Sequence, residues 1–321
     1  MTLTRRGFVS SLAAAAALAP DAARAAVGRT LTIGHVPSTL FAPFYVAISR
    51  GYLEQAGFAA SLQRIGSGEE AMALLANGQL DVVLGGISAA TFNAVQRGFS
   101  VKILTSAAYQ PAKGHPSALL VREGLYAAGL TSPAGLRGKS VAFIGGTGAT
   151  AGYYVQLILR PVGLSLLDVD VRGLPSPDQG PALARRAIDA VFTAAPFTTR
   201  FEEQKLAHEI AAPPAGISCT ASFIGPTLLK DPAAARAVLA AFVKGSRDVQ
   251  GAAFYDPQNL AVFHTYTGLP VSLLRTIPHY DYDPDLRVDR KTLADMQRVF
   301  RELKTLAYAT PLNTADMVAR L

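Results

Sequence analysis

Leu31-Thr32-Ile33-Gly34-His35-Val36 is followed by Pro37-Ser38-Thr39-Leu40-Phe41-Ala42, and then by Pro43-Phe44-Tyr45-Val46-Ala47-Ile48-Ser49-Arg50-Gly51. The first six residues are rich in aliphatic and β-branched side chains, as a short buried strand is. Pro37 and Ser38 break the run. The third stretch is apolar at helical spacing and stops at a glycine, which predicts a helix over 43–50. Strand, loop and helix in this order form the opening of a β-α-β unit.

The alternation continues outward from this stretch. Ala60–Ile65 reads as a second strand. Ser67-Gly68-Glu69-Glu70 then opens a helix, with carboxylates in the first turn where the helix dipole favours them. Asp81–Leu84 is a third strand, ending at Gly85-Gly86, and Ser88 caps the helix after it. Val101–Ser106 is a fourth strand. A second unit has strands at 118–122, 140–144, 169–172, 188–193 and 209–212, with helices at 178–187 and 196–204. In it, Gly145-Gly146-Thr147-Gly148-Ala149-Thr150 leads into a helix that runs to Arg160. The last third is mostly helical, with Asp231-Pro232 and Asp256-Pro257 as helix starts. This pattern predicts an α/β chain of parallel sheets with right-handed crossovers. Its natural division is discontinuous. Residues 26–108 and 222–321 form one doubly wound lobe, residues 109–221 form the other, and two chain crossings act as a hinge.

Composition agrees with a folded chain. The 321 residues suffice for two cores. Half are hydrophobic and 17% are charged, which excludes a disordered chain. The formal charge is +7, and residues 1–25 contribute Arg5, Arg6, Arg24 and Asp21; without them 27 basic and 22 acidic residues remain. No basic run reaches five, so the excess reads as a solvated surface. With no basic stripe, no zinc-finger spacing and no aromatic-basic interleaving, nucleic-acid binding is excluded. Cys219 is the single cysteine. It has no disulfide partner and no metal-ligand neighbour, and reads as a buried structural thiol.

The first 25 residues read as an export address. Arg5-Arg6-Gly7-Phe8-Val9 precede an apolar stretch from Leu12 to Ala19, then Ala23-Arg24-Ala25. This is the form of a twin-arginine-type signal peptide cleaved after Ala25, which sends the mature protein to the periplasm. No cysteine at the cleavage site offers a lipid anchor, and no later apolar run reaches membrane-spanning length.

Several strings carry a family likeness: Ile33–Ala47, Arg50-Gly51-Tyr52-Leu53, Ser67-Gly68-Glu69-Glu70-Ala71 and Asn77-Gly78-Gln79-Leu80-Asp81-Val82. Leu136-Arg137-Gly138-Lys139-Ser140-Val141-Ala142 and Ala187-Ile188-Asp189-Ala190-Val191 belong with them. In order and spacing they resemble the nitrate/sulfonate/taurine and thiamine-precursor type of periplasmic binding protein, the NMT1/THI5-like family. The resemblance covers about residues 30–250. It implies a type II periplasmic-binding-protein fold, with a ligand held between the lobes of a monomer that docks transiently on an ABC permease. No cofactor is implied. Family members often carry Thr-Glu-Pro-Phe where this chain has Thr193-Ala194-Ala195-Pro196-Phe197. The missing carboxylate puts any ligand ammonium in doubt and leaves Thr193 as the candidate contact.

Candidate ligand-binding residues sit where strands end, because ligands of open α/β sheets bind beyond the carboxyl ends of strands. The loop after the first strand supplies His35, Ser38, Thr39 and Phe41. The next two strand ends supply Ser67 with Gly68, and Gly86 with Ser88. The glycine-rich turn supplies Gly146, Thr147, Gly148, Ala149 and Thr150, whose backbone N–H groups suit an anionic head. Tyr153, one turn on, is placed to close over a ligand. Other motifs have bland readings. Gly146-x-Gly148-x-x-Ala151 is a loose dinucleotide fingerprint in mid-chain. Gly135–Ser140 lacks the first glycine of a phosphate loop. Asp281, Asp283 and Asp285 lack the glycine and closing glutamate of a calcium loop. The five histidines are dispersed, and no nucleophile elbow appears. The chain therefore reads as a non-catalytic binder of a small neutral or anionic organic molecule: a sulfonate, an aromatic carboxylate or a thiamine-precursor-like heteroaromatic. The alternative is a periplasmic cofactor-dependent enzyme on the same fold. The yeast-type pyrimidine synthases of this fold use a cysteine-rich segment, which this chain lacks.

Overall fold

A computed structural model of the chain describes residues 28–65 and 68–321, with side chains described for 28–65 and 71–321. The signal-peptide segment and Ser67 lie outside these residues. In chain order the strands are β1 (Arg29–His35), β2 (Phe58–Arg64), β3 (Val82–Gly86), β4 (Lys102–Ser106), β5 (Ala108–Tyr109) and β6 (Ser117–Arg122). They continue as β7 (Ser140–Phe143), β8 (Asp170–Gly173), β9 (Ala190–Ala194), β10 (Ala207–Ala211), β11 (Thr220–Ile224) and β12 (Asp281–Tyr282).

These strands build two five-stranded sheets of the same design, ordered β2-β1-β3-β11-β4 and β8-β7-β9-β6-β10. In each, the first three strands are parallel. The fourth runs against both neighbours. The sheets are therefore mixed, and the expectation of parallel sheets is corrected at one strand in each. The exceptions are the first strands made after each crossing between sheets, β6 on the way out and β11 on the way back. Both crossings run where the parallel strands end. Ser117, which starts β6, pairs with Ala194 at the end of β9, and Thr220, which starts β11, pairs with Gly86 at the end of β3. A strand begun at that edge must run the other way. The division placed at 221/222 falls inside β11, so the chain has crossed back before Thr220.

A repeated carboxylate ties each sheet together. Asp81, just before β3, accepts the Thr32 N–H of β1 at 3.0 Å and pairs with Arg29 at 3.0 Å. Asp189, just before β9, accepts the Ser140 N–H and hydroxyl of β7, each at 3.1 Å, and pairs with Arg122 at 3.3 Å. In both places the aspartate fixes the stagger between the second and third strands of the sheet order, β1 with β3 and β7 with β9, through charge-assisted bonds. The recurring Leu/Ile-Asp-Val/Ala string thus has a structural cause.

The last third includes the helix Arg290–Glu302. Asp289 caps it by accepting the Lys291 and Thr292 N–H groups. Leu293, Met296, Val299 and Phe300 are buried along one face, and burying such a side chain contributes roughly 1.5–3 kcal/mol. That face touches elements beside both sheets. The Phe300 ring lies 5.9 Å from Phe92 and 6.3 Å from Tyr153. The short β5–β12 pair, with Asp281 opposite Tyr109, fastens the C-terminal segment to the first crossing. Among the described residues, no helix is long and apolar enough to cross a membrane.

Candidate functional site

The ends of β1, β3, β7 and β9 and the starts of β6 and β11 converge on a cavity of about 880 Å³. That volume suits a small organic molecule, whose pockets span roughly 300–1,000 Å³. Apolar walls come from Val36, Leu40, Phe41, Ile144 and Phe192. Hydroxyls come from Ser88, Ser117, Thr150, Tyr154, Ser176, Thr193, Thr220, Tyr280 and Thr305, and Asn93 supplies one amide. Among the described residues that line it, none is charged.

Two helices begin at the cavity, one beside each sheet. Ala89–Gln96 follows Ser88, whose N–H donates to Thr91 Oγ1 at 3.3 Å. Thr150–Leu159 follows Ala149 and has no side-chain cap. Helix starts leave N–H groups unpaired and carry partial positive charge, so both favour an oxygen-rich or anionic group over a cation. The turn before the second helix needs glycine, since Gly145 and Gly146 have φ of 79° and 72° in the left-handed region.

The segments that follow β3 and β7 touch directly at this point. The Ala89 N–H donates to the Gly148 carbonyl at 2.9 Å. Thr150 Oγ1 donates to the Ile87 carbonyl at 2.8 Å. Gly86 permits the approach, because a Cβ at that position would lie 2.2 Å from Thr150 Oγ1. Asn93 is held by donating to the Thr305 carbonyl at 3.2 Å and accepting from the Ala307 N–H at 2.8 Å. Ser117 Oγ and Tyr280 OH share a 2.8 Å hydrogen bond across the first crossing. Burial pushes the Tyr280 phenol up to about 12, and burial also raises Tyr154, so both line the site as neutral hydroxyls.

Of the residues singled out in the sequence, Phe41, Gly86, Ser88, Gly148, Ala149, Thr150 and Thr193 line the cavity. Thr193 Oγ1 donates to Ser176 Oγ at 3.3 Å. Gly146 and Thr147 shape the turn without lining the cavity. Gly68 opens the helix Gly68–Ala76. Four others lie outside the lining. His35 is 4% exposed and shares a 2.8 Å hydrogen bond with Tyr45 OH. Burial and then the nearby Arg64 lower its pKa, so it is a neutral packing group. Ser38 caps the short turn Thr39–Phe41 through the Leu40 N–H. Thr39 is buried, and its carbonyl accepts the Tyr282 hydroxyl at 2.6 Å. Tyr153 turns away and donates to Asp295 Oδ2 at 2.8 Å.

The sequence reading missed Val36, Leu40, Asn93, Ser117, Ile144, Tyr154, Ser176, Phe192, Thr220, Tyr280 and Thr305. Only Val36 and Ile144 carried a local signal, each being the first residue after a strand that ends at the site. Cys219 is buried, and burial raises its thiol pKa, which disfavours a thiolate. The acidic Asp281–Asp285 loop is an ion-pair surface: Asp283 pairs with Arg287 at 3.1 Å and Asp285 with Arg247 at 2.7 Å. Among the described residues no cluster of His, Cys, Asp or Glu has the form of a metal site.

Comparison with known proteins adds family and fold. The NMT1-like family matches residues 24–258. The alkanesulfonate-binding protein SsuA from Xanthomonas axonopodis pv. citri, solved bound to MOPS, superposes with a TM-score of 0.71 at 17% identity, over 90% of this chain and 97% of that one. The periplasmic nitrate-binding protein NrtA from Synechocystis PCC 6803 gives 0.67 at 14% identity, over 88% and 83%. The desulfurization enzyme DSZB gives 0.59 at 15% identity, over 91% and 96%. At such identities the likeness establishes the fold, and it matches the expected periplasmic-binding-protein class. No curated relative matches the sequence.

Proposed function

The chain belongs to the NMT1-like family, and on that premise we propose that it is the solute-binding component of an ABC importer. It captures one small neutral or anionic organic molecule between two lobes, each built on one sheet. The lobes correspond to residues 26–108 with the C-terminal third, and to the segment between the crossings. A twin-arginine-type leader delivers the protein to the periplasm and is removed after Ala25. The closed, loaded form then docks on the permease. Differential affinity of the ligand for the closed form drives closure.

One observation carries this reading. The cavity of about 880 Å³ lies where two helix starts meet, and the hydrogen bonds from Ala89 and Thr150 join the segments that follow β3 and β7 at its wall. A guest there touches lining residues of both halves at once, so occupancy and closure are coupled. The solute-binding relatives SsuA and NrtA support the same reading. The DSZB likeness raises an enzyme as the alternative, but the single thiol, Cys219, is buried outside the cavity and its pKa is raised.

Isothermal titration of the mature protein against organic sulfonates, carboxylates and neutral heteroaromatics tests the proposal, with X-ray scattering on the same samples. One site per chain and a smaller radius of gyration on saturation are expected. A protein that binds no member, or binds without contracting, contradicts it.

A further inference from the structure

Val36 and Ile144 are large apolar side chains left 42% and 54% exposed, and both line the cavity. They hold the same place in the two sheets. Val36 follows β1 and Ile144 follows β7, and β1 and β7 occupy the second position in sheets of the same order. Each therefore sits at the tip of a strand next to the parallel third strand, one contributed by each half of the molecule. Leu40, Phe41 and Phe192 continue the apolar wall between them and the interior. Isolated exposed apolar residues are ordinary on a protein surface. A matched pair lining one cavity is a different arrangement, since one guest covers both at the same time.

We propose that Val36 and Ile144 are specificity-determining residues that clamp a flat or branched apolar body, with one small oxygen-bearing head at the helix starts of Ala89 and Thr150. This rests on the solute-binding reading above and narrows it. Short, fully hydrophilic solutes leave both side chains in water. Zwitterions also bring an ammonium into a cavity whose described lining has no carboxylate, beside two helix starts of positive potential. The Ala194-Ala195 segment, where family members often carry glutamate, contributes Ala194 to that lining.

The test compares four probes by calorimetry: naphthalene-2-carboxylate, naphthalene-2-sulfonate, methanesulfonate and taurine. Val36→Ser and Ile144→Ser are measured beside the wild type. Leu167→Ser serves as a control, because Leu167 is 71% exposed and does not line the cavity. The naphthalene acids are expected to bind at least about ten-fold tighter than methanesulfonate and taurine. Each clamp variant is expected to weaken them by about ten-fold, the scale of uncovering one aliphatic side chain. Leu167→Ser should match the wild type. Equal affinity for methanesulfonate and the naphthalene acids overturns this inference and leaves the solute-binding reading intact, as do unaltered naphthalene affinities in both clamp variants. Absence of binding by all four probes, with thermal midpoints unmoved, overturns this inference, and the wider titration and scattering described above decide the solute-binding reading separately.

Discussion

Thr150 Oγ1 donates a 2.8 Å hydrogen bond to the carbonyl of Ile87, linking the start of a helix beside the second sheet to the end of β3 in the first. Gly86 lies directly beneath this bond, with no room for a Cβ. This contact between the two halves therefore depends on a missing methyl group at the end of β3 and a hydroxyl at the helix start opposite.

Gly86→Ala should hold the two halves apart. The added methyl would stand 2.2 Å from Thr150 Oγ1 and 3.1 Å from its Cβ, so side-chain rotation alone does not relieve it. Ligand affinity should fall at least about ten-fold, because closure then competes with a steric penalty of roughly 1–3 kcal/mol. Scattering should show a larger radius in the presence of ligand, while circular dichroism stays as in the wild type.

Tyr153→Phe should lower stability without altering affinity. The phenol donates to Asp295 and does not line the cavity. Losing one such bond to a carboxylate costs roughly 1.5–3 kcal/mol. Urea unfolding should register that loss, and calorimetry should return the wild-type affinity. A large loss of affinity would restore Tyr153 as a ligand contact.

Asp189→Asn should destabilise the second sheet in a pH-dependent way. Burial works against the Asp189 charge, but the Ser140 N–H, the Ser140 hydroxyl and Arg122 outweigh it and lower the pKa. A carboxyl with a lowered folded pKa stabilises above its unfolded value near 3.9, and that stability fades as pH falls through the folded value. The variant should unfold at lower urea than the wild type at pH 7, by about 1–2 kcal/mol. The gap should narrow as pH falls below about 4.

His35 should make the protein less stable in mild acid. Its lowered pKa, caused by burial and then by Arg64, means that the unfolded chain takes up the proton first. Stability is therefore complete well above pH 6.5 and declines as pH falls below that unfolded value. His35→Gln, which cannot titrate, should flatten part of the decline in thermal midpoint between about pH 7 and pH 5.

The sequence exposed those parts of the site that punctuation marks. Gly86, Ser88, Gly148 and Thr150 stand at breaks between an apolar run and a helix, where strand ends must lie. Residues whose role depends on rotation or on distant chain were hidden. Tyr153 and Tyr154 are neighbours on one helix, about 100° apart. One reaches Asp295 and the other the cavity, and no local signal fixes that phase. His35 lay on the buried side of β1 by the same kind of parity. Ser117, Thr220, Tyr280 and Thr305 come from the crossings and the C-terminal third, so only the assembled chain brings them together. The reversed direction of β6 and β11 was equally hidden, because it follows from where the crossings enter each sheet.

Native mass spectrometry of the protein purified from the cell that makes it addresses the central claim most directly. One small organic molecule per chain should be retained by the wild type and lost from Gly86→Ala. A wild type that carries no such molecule and gains no mass from any probe offered would contradict the account, as would a retained molecule that survives Gly86→Ala.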